Sequence, residues 1–249
     1  MAKPKFAVIT GACGGIGRSL ARTFREAGYR VIGVDRVSAD SDMNPDHFID
    51  ADLQKTVRDE AHATEIFAEI RSCCGGHGIH ALVNNAAVQI LGETGTLTRT
   101  DWQTTLDVNL LAPFFWIQGL LTELEAAGGC AVNIGSIHAR LTKPRFAAYA
   151  TSKAALAGLT RALAVDLGAR IRVNAIEPAA IETPMLRAGF EHAPELFRQL
   201  QACHPAGGIG QPEEVARLAL ALADGELKFL HGACVPLDGG IGGRLHDPD

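Results

Sequence analysis

A strand-like run, Phe6-Ala7-Val8-Ile9-Thr10, passes without a spacer into Gly11-Ala12-Cys13-Gly14-Gly15-Ile16-Gly17, where a stretch of helical period begins. This junction restricts the fold more than any other segment of the chain. A short apolar run rich in β-branched residues reads as a strand, and the glycines after it let the chain turn tightly into a helix. The unit then repeats. Further strand candidates lie at Arg30–Asp35, His47–Asp52, His80–Asn84, Cys130–Gly135, Arg170–Ile176 and Gly232–Leu237. Helix candidates fall between them, near 16–28, 54–73, 101–127, 147–167 and 213–224. Strands that are apolar throughout, rather than at alternate positions, belong to parallel sheets covered on both faces. The alternation therefore predicts an α/β fold: a doubly wound parallel sheet of about seven strands with helices on both faces. No linker, repeat or low-complexity stretch divides the chain, so residues 1–249 are expected to form one domain.

Local signals set the expected boundaries. Thr100-Asp101-Trp102-Gln103 reads as a capping box opening the long helix, and Pro212 followed by Glu213 and Glu214 reads as a first helical turn. Residues 183–211 break the alternation and carry prolines at 184, 194 and 205. An insertion of that length within a domain reads as a substrate lid.

Composition narrows the partners. Lys plus Arg is 23 against 28 for Asp plus Glu, a net charge of −5 with no basic run, which argues against a nucleic-acid partner. The longest apolar run, Leu110 to Ile117, is eight residues, whereas a membrane-spanning helix needs about 20, so no membrane span is expected. Met1-Ala2-Lys3-Pro4-Lys5 leads at once into the first strand candidate, so no signal peptide is expected. The six cysteines, at 13, 73, 74, 130, 203 and 234, lack C-x-x-C spacing, so neither a metal site nor a disulfide framework is expected. A reduced, cytoplasmic protein is the expectation.

Chemistry concentrates at three places. Glycines at 11, 14, 15 and 17 permit backbone N–H groups to approach a pyrophosphate at a helix N-terminus. Asp35 follows Gly17 by eighteen residues at the end of the second strand candidate, where a carboxylate accepts from both ribose hydroxyls of an adenosine and repels a 2′-phosphate. Arg36, next to it, favours that phosphate instead. Tyr149 and Lys153 are spaced i, i+4, which puts phenol and ammonium on one helix face, and Ser136 ends the fifth strand candidate thirteen residues earlier.

Taken together these residues resemble the short-chain dehydrogenase/reductase family over essentially the whole chain. The matching segments are Thr10-Gly11…Gly15-Ile16-Gly17, Asp52-Leu53, Asn84-Asn85-Ala86, Asn109, Gly135-Ser136, Tyr149…Lys153, Pro178 and Ile181-Glu182-Thr183-Pro184. The resemblance implies a Rossmann-type fold, a nicotinamide cofactor and a catalytic tetrad of Asn109, Ser136, Tyr149 and Lys153. It further implies that Asp52 and Leu53 flank the adenine, Asn85 the cofactor ribose side, and Ile181 and Thr183 the nicotinamide amide, with Ala86 and Pro178 as further cofactor contacts. A homotetramer is implied as well. Gln89, His138, Arg140, Phe146 and Met185 are substrate-pocket candidates by motif position. Two positions depart from the family pattern: Ala87 and Ala179 stand where glycine is usual, each adding a methyl near the nicotinamide.

A free tyrosine, with pKa near 10, is only about 0.1 % ionised at pH 7, so a Tyr149 base needs help. The Lys153 ammonium is expected to depress the phenol by charge, and Asn109 to support a water linking Lys153 to solvent. The leading function is thus an NAD-dependent dehydrogenase of alcohols, polyols or hydroxy acids. An NADP-dependent ketoreductase of the 3-oxoacyl-carrier type is the second reading, disfavoured by Asp35 and the neutral Gly14, and a non-catalytic cofactor-binding scaffold or sensor is the third.

Overall fold

Phe6 and Val8 point into one apolar layer and Ala7 and Ile9 into another, and all four are buried. That two-sided burial is the physical reason the first strand reads as a continuous apolar run. A computed structural model of the chain describes residues 3–37 and 45–245. Met1 and Ala2, at the head of the segment read as lacking a leader, lie outside the described residues.

All seven expected strands form, with ends shifted by no more than two residues: β1 (Lys5–Thr10), β2 (Tyr29–Asp35), β3 (His47–Asp50), β4 (Ala81–Asn84), β5 (Cys130–Ile134), β6 (Arg172–Pro178) and β7 (Cys234–Leu237). They make one parallel sheet in the order β3-β2-β1-β4-β5-β6-β7. The chain moves outward from β1 to one edge, returns to β4, and then builds the other half. The crevice beyond the strand ends at that reversal is where doubly wound sheets bind ligands. One face carries α1 (Gly15–Glu26) and α10 (Pro212–Ala223), through Leu20, Phe24, Val215 and Leu222. The other face packs α3 (Glu60–Cys74), α5 (Ala112–Gly119) and α7 (Ala147–Leu167), with Phe67, Ile70, Trp116 and Leu163 at its centre.

Two expected helices are broken, each for an identifiable reason. The 54–73 stretch divides into α2 (Leu53–Arg58) and α3 because Asp59 is extended (φ −130°) and its carboxylate accepts from His62 N at 3.0 Å. A side chain that caps a following helix ends the preceding one. The 101–127 stretch begins earlier, as α4 (Arg99–Leu106), and the capping box is formed by Thr98 and Asp101 rather than by Thr100 and Gln103. It then widens into a π turn over Asp107–Leu111, resumes as α5, and breaks at Leu120 before α6 (Leu121–Ala127). Pro113 has no N–H for the Asn109 carbonyl four residues back, and its ring crowds that carbonyl. Ala112 N bonds instead to Asp107 O, five residues back.

The 183–211 segment contains α8 (Pro184–Ala188) and α9 (Pro194–Cys203). Its stem is closed by a parallel bridge between Ile181 and Gly210, with Glu182 N to Gly210 O at 2.8 Å and Gly210 N to Ala180 O at 3.1 Å. No described helix is long and apolar enough to cross a membrane.

Candidate active site

A cleft of about 1240 Å³ opens beyond the strand ends at the β1/β4 reversal. Small-molecule pockets run to roughly 1,000 Å³, so the space suits a dinucleotide and a substrate together. Its floor is the glycine turn. Gly11 has φ +65°, and a Cβ there would meet Ala86 Cα at 2.7 Å; a Cβ on Gly17 would lie 2.1 Å from Gly11 O. Only bare backbone fits. Gly14, the N-cap of α1, makes no side-chain cap, so the N–H groups that open the helix face the cleft, where Gly15, Ile16 and Gly17 line the wall. Those donors at a helix N-terminus fit the pyrophosphate of the dinucleotide that the resemblance implies.

Around this floor the sequence-predicted contacts gather: Asp35, Asp52, Leu53, Asn85, Ala86, Pro178, Ile181 and Thr183 all line the cleft. Asp35 is aimed by two backbone donors, Cys13 N at 2.9 Å and Val37 N at 3.3 Å. An ionised carboxylate offers about four lone-pair sites, so acceptor capacity remains for a ribose. Asp52 caps α2 through Gln54 N at 2.9 Å, and Thr183 caps α8 through Leu186 N at 3.2 Å. Asn85 braces the glycine turn, its Nδ2 donating to Thr10 O and Gly11 O at 3.0 Å each. Thr10, matched in the glycine motif without a role of its own, is a joint. Its buried hydroxyl accepts from Asn85 N and Ala86 N, both at 3.1 Å, and ties β1 to the loop after β4.

The proposed catalytic groups come from three elements. Ser136 follows β5 and is buried, its Oγ accepting from His138 N at 3.1 Å and sharing a hydrogen bond with the Tyr149 side chain. Tyr149 and Lys153 lie one turn apart on α7, with Lys153 Nζ 5.8 Å from the phenol ring centroid. The ammonium is itself buried and donates to Ile134 O at 2.8 Å. Loss of hydration pulls Lys153 down from 10.5 to about 8. Burial pushes the Tyr149 phenol above its ordinary value of 10, and the Ser136 hydrogen bond opposes it only in part. The expected depression of Tyr149 by the Lys153 charge does not occur in the protein alone: burial sets the direction for both groups, because desolvation penalises both charged forms.

Asn109 is buried and does not border the cleft. The π turn presents its amide to the loop after β4. Its Oδ1 accepts from Val88 N at 2.8 Å, and Nδ2 donates to Val88 O at 2.9 Å and to Ser152 Oγ at 3.0 Å. Ser152 Oγ in turn donates to Tyr149 O at 2.7 Å. The expected proton-relay water would have to use the Asn109 main chain, since the side chain is spent on Val88 and Ser152.

Of the five substrate-pocket candidates, Gln89, His138, Phe146 and Met185 line the cleft. His138 stacks on Phe146 (centroids 4.3 Å apart, planes 10°), and both meet Tyr149 edge-on. Burial, with the Lys143 charge adding to it, lowers His138 to about 4, so the ring is neutral near pH 7. Arg140 is not part of the wall. Its Nε donates to the buried Glu177 at 2.8 Å, with Asp238 at 3.9 Å, a pairing that draws the guanidinium away from the pocket. Sequence reasoning missed Leu141, Lys143 and Phe190, which line the cleft from irregular segments without a periodic signal. Ala87 and Ala179 line it too, and neither has positive φ; among the described non-glycine residues only Arg145 does, at 74°. Their methyls narrow the site without straining the backbone.

Comparison with known proteins agrees with this geometry. A family model described as enoyl-(acyl carrier protein) reductase matches residues 11–242. Protein FixR of Bradyrhizobium diazoefficiens is 40% identical over 253 residues, covering 96% of this chain and 87% of that protein. An NAD-dependent glycerol dehydrogenase of Listeria innocua is 32% identical over 242 residues, 95% of this chain and 93% of that one. The ligand-free structure of an aldohexose dehydrogenase from Thermoplasma acidophilum superposes with a TM-score of 0.91 at 28% identity, covering 99% of this chain and 97% of that chain. With the glycine cradle, the Ser136–Tyr149–Lys153 wall and these relatives in one frame, the chain belongs to the short-chain dehydrogenase/reductase family of nicotinamide-dependent oxidoreductases.

Proposed function

We propose that the protein is an NAD-dependent dehydrogenase of secondary alcohols, polyols or hydroxy acids, working as a cytoplasmic homotetramer. The observation that carries the reading is the convergence of Ser136, Tyr149 and Lys153 on one wall of the cleft that the glycine turn floors. Ser136 Oγ binds the substrate oxygen. Tyr149, as phenolate, takes the hydroxyl proton while the carbon–oxygen bond gains its second bond, and in reverse the phenol returns that proton. Bound, the nicotinamide ring supplies the acceptor for the hydride leaving the carbinol carbon, and its positive charge favours the phenolate. Lys153, anchored on Ile134 O, holds the ribose and balances the charge on Tyr149. Asn109 fixes the loop at Val88 and, through Ser152, the backbone of Tyr149.

NAD preference rests on Asp35, whose carboxylate is oriented by Cys13 N and Val37 N toward the position of an adenosine ribose. Arg18 and Arg36 also border the cleft and favour the NADP-dependent ketoreductase reading. Calorimetric titration of both cofactors separates the two. NAD should bind the more tightly, and Asp35→Ala should weaken NAD by about ten- to a hundredfold, the worth of a charged hydrogen bond at roughly 1.5–3 kcal/mol. Tighter binding of NADP by the unaltered protein overturns the NAD reading.

A further inference from the structure

His204 closes the end of α9, is 3 % exposed, and lines the cleft. Its Nδ1 lies 2.8 Å from Leu200 O, one turn back. A carbonyl oxygen only accepts, so Nδ1 carries a ring proton, and the tautomer with that proton alone leaves a lone pair on Nε2. Among the described residues that Nε2 is buried with no hydrogen-bond partner. Buried polar atoms are nearly always paired, and an exception on a binding wall points to a group supplied by the ligand. The fold holds the ring firmly: Ala206 N bonds to Gly239 O at 2.9 Å, and a Cβ on Gly239 would touch the ring at 3.5 Å. Leu200, Phe190 and Ile241 line the same cleft and offer no hydrogen bond from their side chains.

We propose that His204 Nε2 is a substrate subsite that accepts a hydrogen bond from a second hydroxyl, distinct from the one being oxidised. The reacting oxygen belongs to Ser136 and Tyr149, on β5 and α7, whereas His204 comes from the 183–211 segment and packs on the loop after β7. One substrate bridging both walls must carry two hydroxyls, so the substrate class is a diol or a polyhydroxylated ring rather than a simple alcohol. The subsite rests on the dehydrogenase reading above and deepens it.

Spacing isomers test this with purified protein and NAD. Cyclohexanol is compared with cyclohexane-1,2-, 1,3- and 1,4-diol and with 4-hydroxycyclohexanecarboxylate, in the unaltered protein, His204→Asn and His204→Gln. The Asn amide keeps a donor for Leu200 O but lacks the distal acceptor; the Gln amide carries an oxygen near the Nε2 position. At least one diol should exceed cyclohexanol in kcat/KM by about tenfold, the worth of one hydrogen bond to a buried acceptor. His204→Asn should collapse that ratio, His204→Gln should restore part of it, and NAD affinity should stay within about twofold. A ratio near one in the unaltered protein, or a ratio unmoved by Asn, overturns the subsite. Preference for the carboxylate over every diol overturns it in favour of an anion site. Failure of both variants to fold leaves the ratio in the unaltered protein to decide. Absence of turnover on all five compounds in a protein that still binds NAD or NADP by calorimetry overturns the subsite, whereas failure to bind either cofactor overturns the dehydrogenase reading itself.

Discussion

Tyr149 and Lys153 illustrate how burial sets the terms on which two side chains cooperate. The i, i+4 spacing was enough to place phenol and ammonium on one face, but it carries no information about hydration, and hydration decides the direction in which each titrates. Because Tyr149 is pushed above 10, alcohol oxidation should rise with pH as the phenolate forms, while carbonyl reduction, which consumes the phenol proton, should fall. Tyr149→Phe keeps the ring edge against His138 and Phe146 and removes the ionisable oxygen. Turnover should drop below a tenth of the original while cofactor affinity is kept; a smaller loss in steady-state kinetics removes Tyr149 from the proposed role. For Lys153 the linkage sign is fixed by the drop from 10.5 to about 8. Between those values the unfolded chain holds a proton that the folded chain does not, so stability contributed by this site rises with pH. Buried thiols such as Cys74, raised to about 12, act oppositely above pH 9, which makes a difference measurement necessary. The urea midpoint of the unaltered protein, relative to Lys153→Met, should climb between pH 8 and pH 10, and a flat difference contradicts it.

Elements were legible in proportion to how far local chemistry controls them. The strands could be read because burial on both faces leaves a continuous apolar run, and 147–167 could be read because nothing interrupts its helical period. The π turn could not. It depends on where the missing N–H of Pro113 falls relative to a buried Asp107 that accepts from Arg58 Nε at 2.7 Å and Gln103 Nε2 at 2.6 Å. Those partners are forty-nine and four residues away, and only the folded chain brings both to the same carboxylate. The glycine turn and the Ser, Tyr and Lys positions were legible because their chemistry demands fixed residue types. Thr10, Ser152 and His204 were not, since each acts through a partner that sequence does not place beside it. The 183–211 segment remains a proposed lid with a testable consequence. Among the described residues none in α8 or α9 is buried, and their packing on one another rests on contacts such as the Arg187 guanidinium over the Phe197 ring (5.8 Å to the centroid). Local opening is easy where so few apolar groups are buried. Hydrogen exchange should be fastest here in the cofactor-free protein and slow when NAD is added, and equal rates in the two states defeat the lid assignment.

At the scale of the whole molecule the sheet has two ends, and β7 is the more exposed, with Cys234, Val235 and Leu237 only partly covered. Phe229, just before it, is fully exposed, and Val165 on α7 is 85 % exposed. An open parallel edge beside bare aromatic and aliphatic groups invites association. Light scattering at micromolar concentration should give four times the chain mass, and Phe229→Asp should lower it without altering the far-UV spectrum; a monomeric unaltered protein refutes the tetramer. The bridge between Ile181 and Gly210 has a consequence for how such a protein changes over generations. The two ends of the insertion meet as hydrogen-bonded neighbours, so its contour can lengthen or shorten while the sheet beneath keeps its register. Doubling a loop costs only about 0.6 kcal/mol in closure entropy. The hydrogen-bonded frame from Thr10 through Asn85, and that from Val88 through Asn109 and Ser152 to Tyr149, lie wholly outside that stem. Descendants of this chain can therefore vary what lies between Thr183 and Gly210, and with it one side of the pocket, as a single cassette, while inheriting unchanged the frame that holds Ser136, Tyr149 and Lys153.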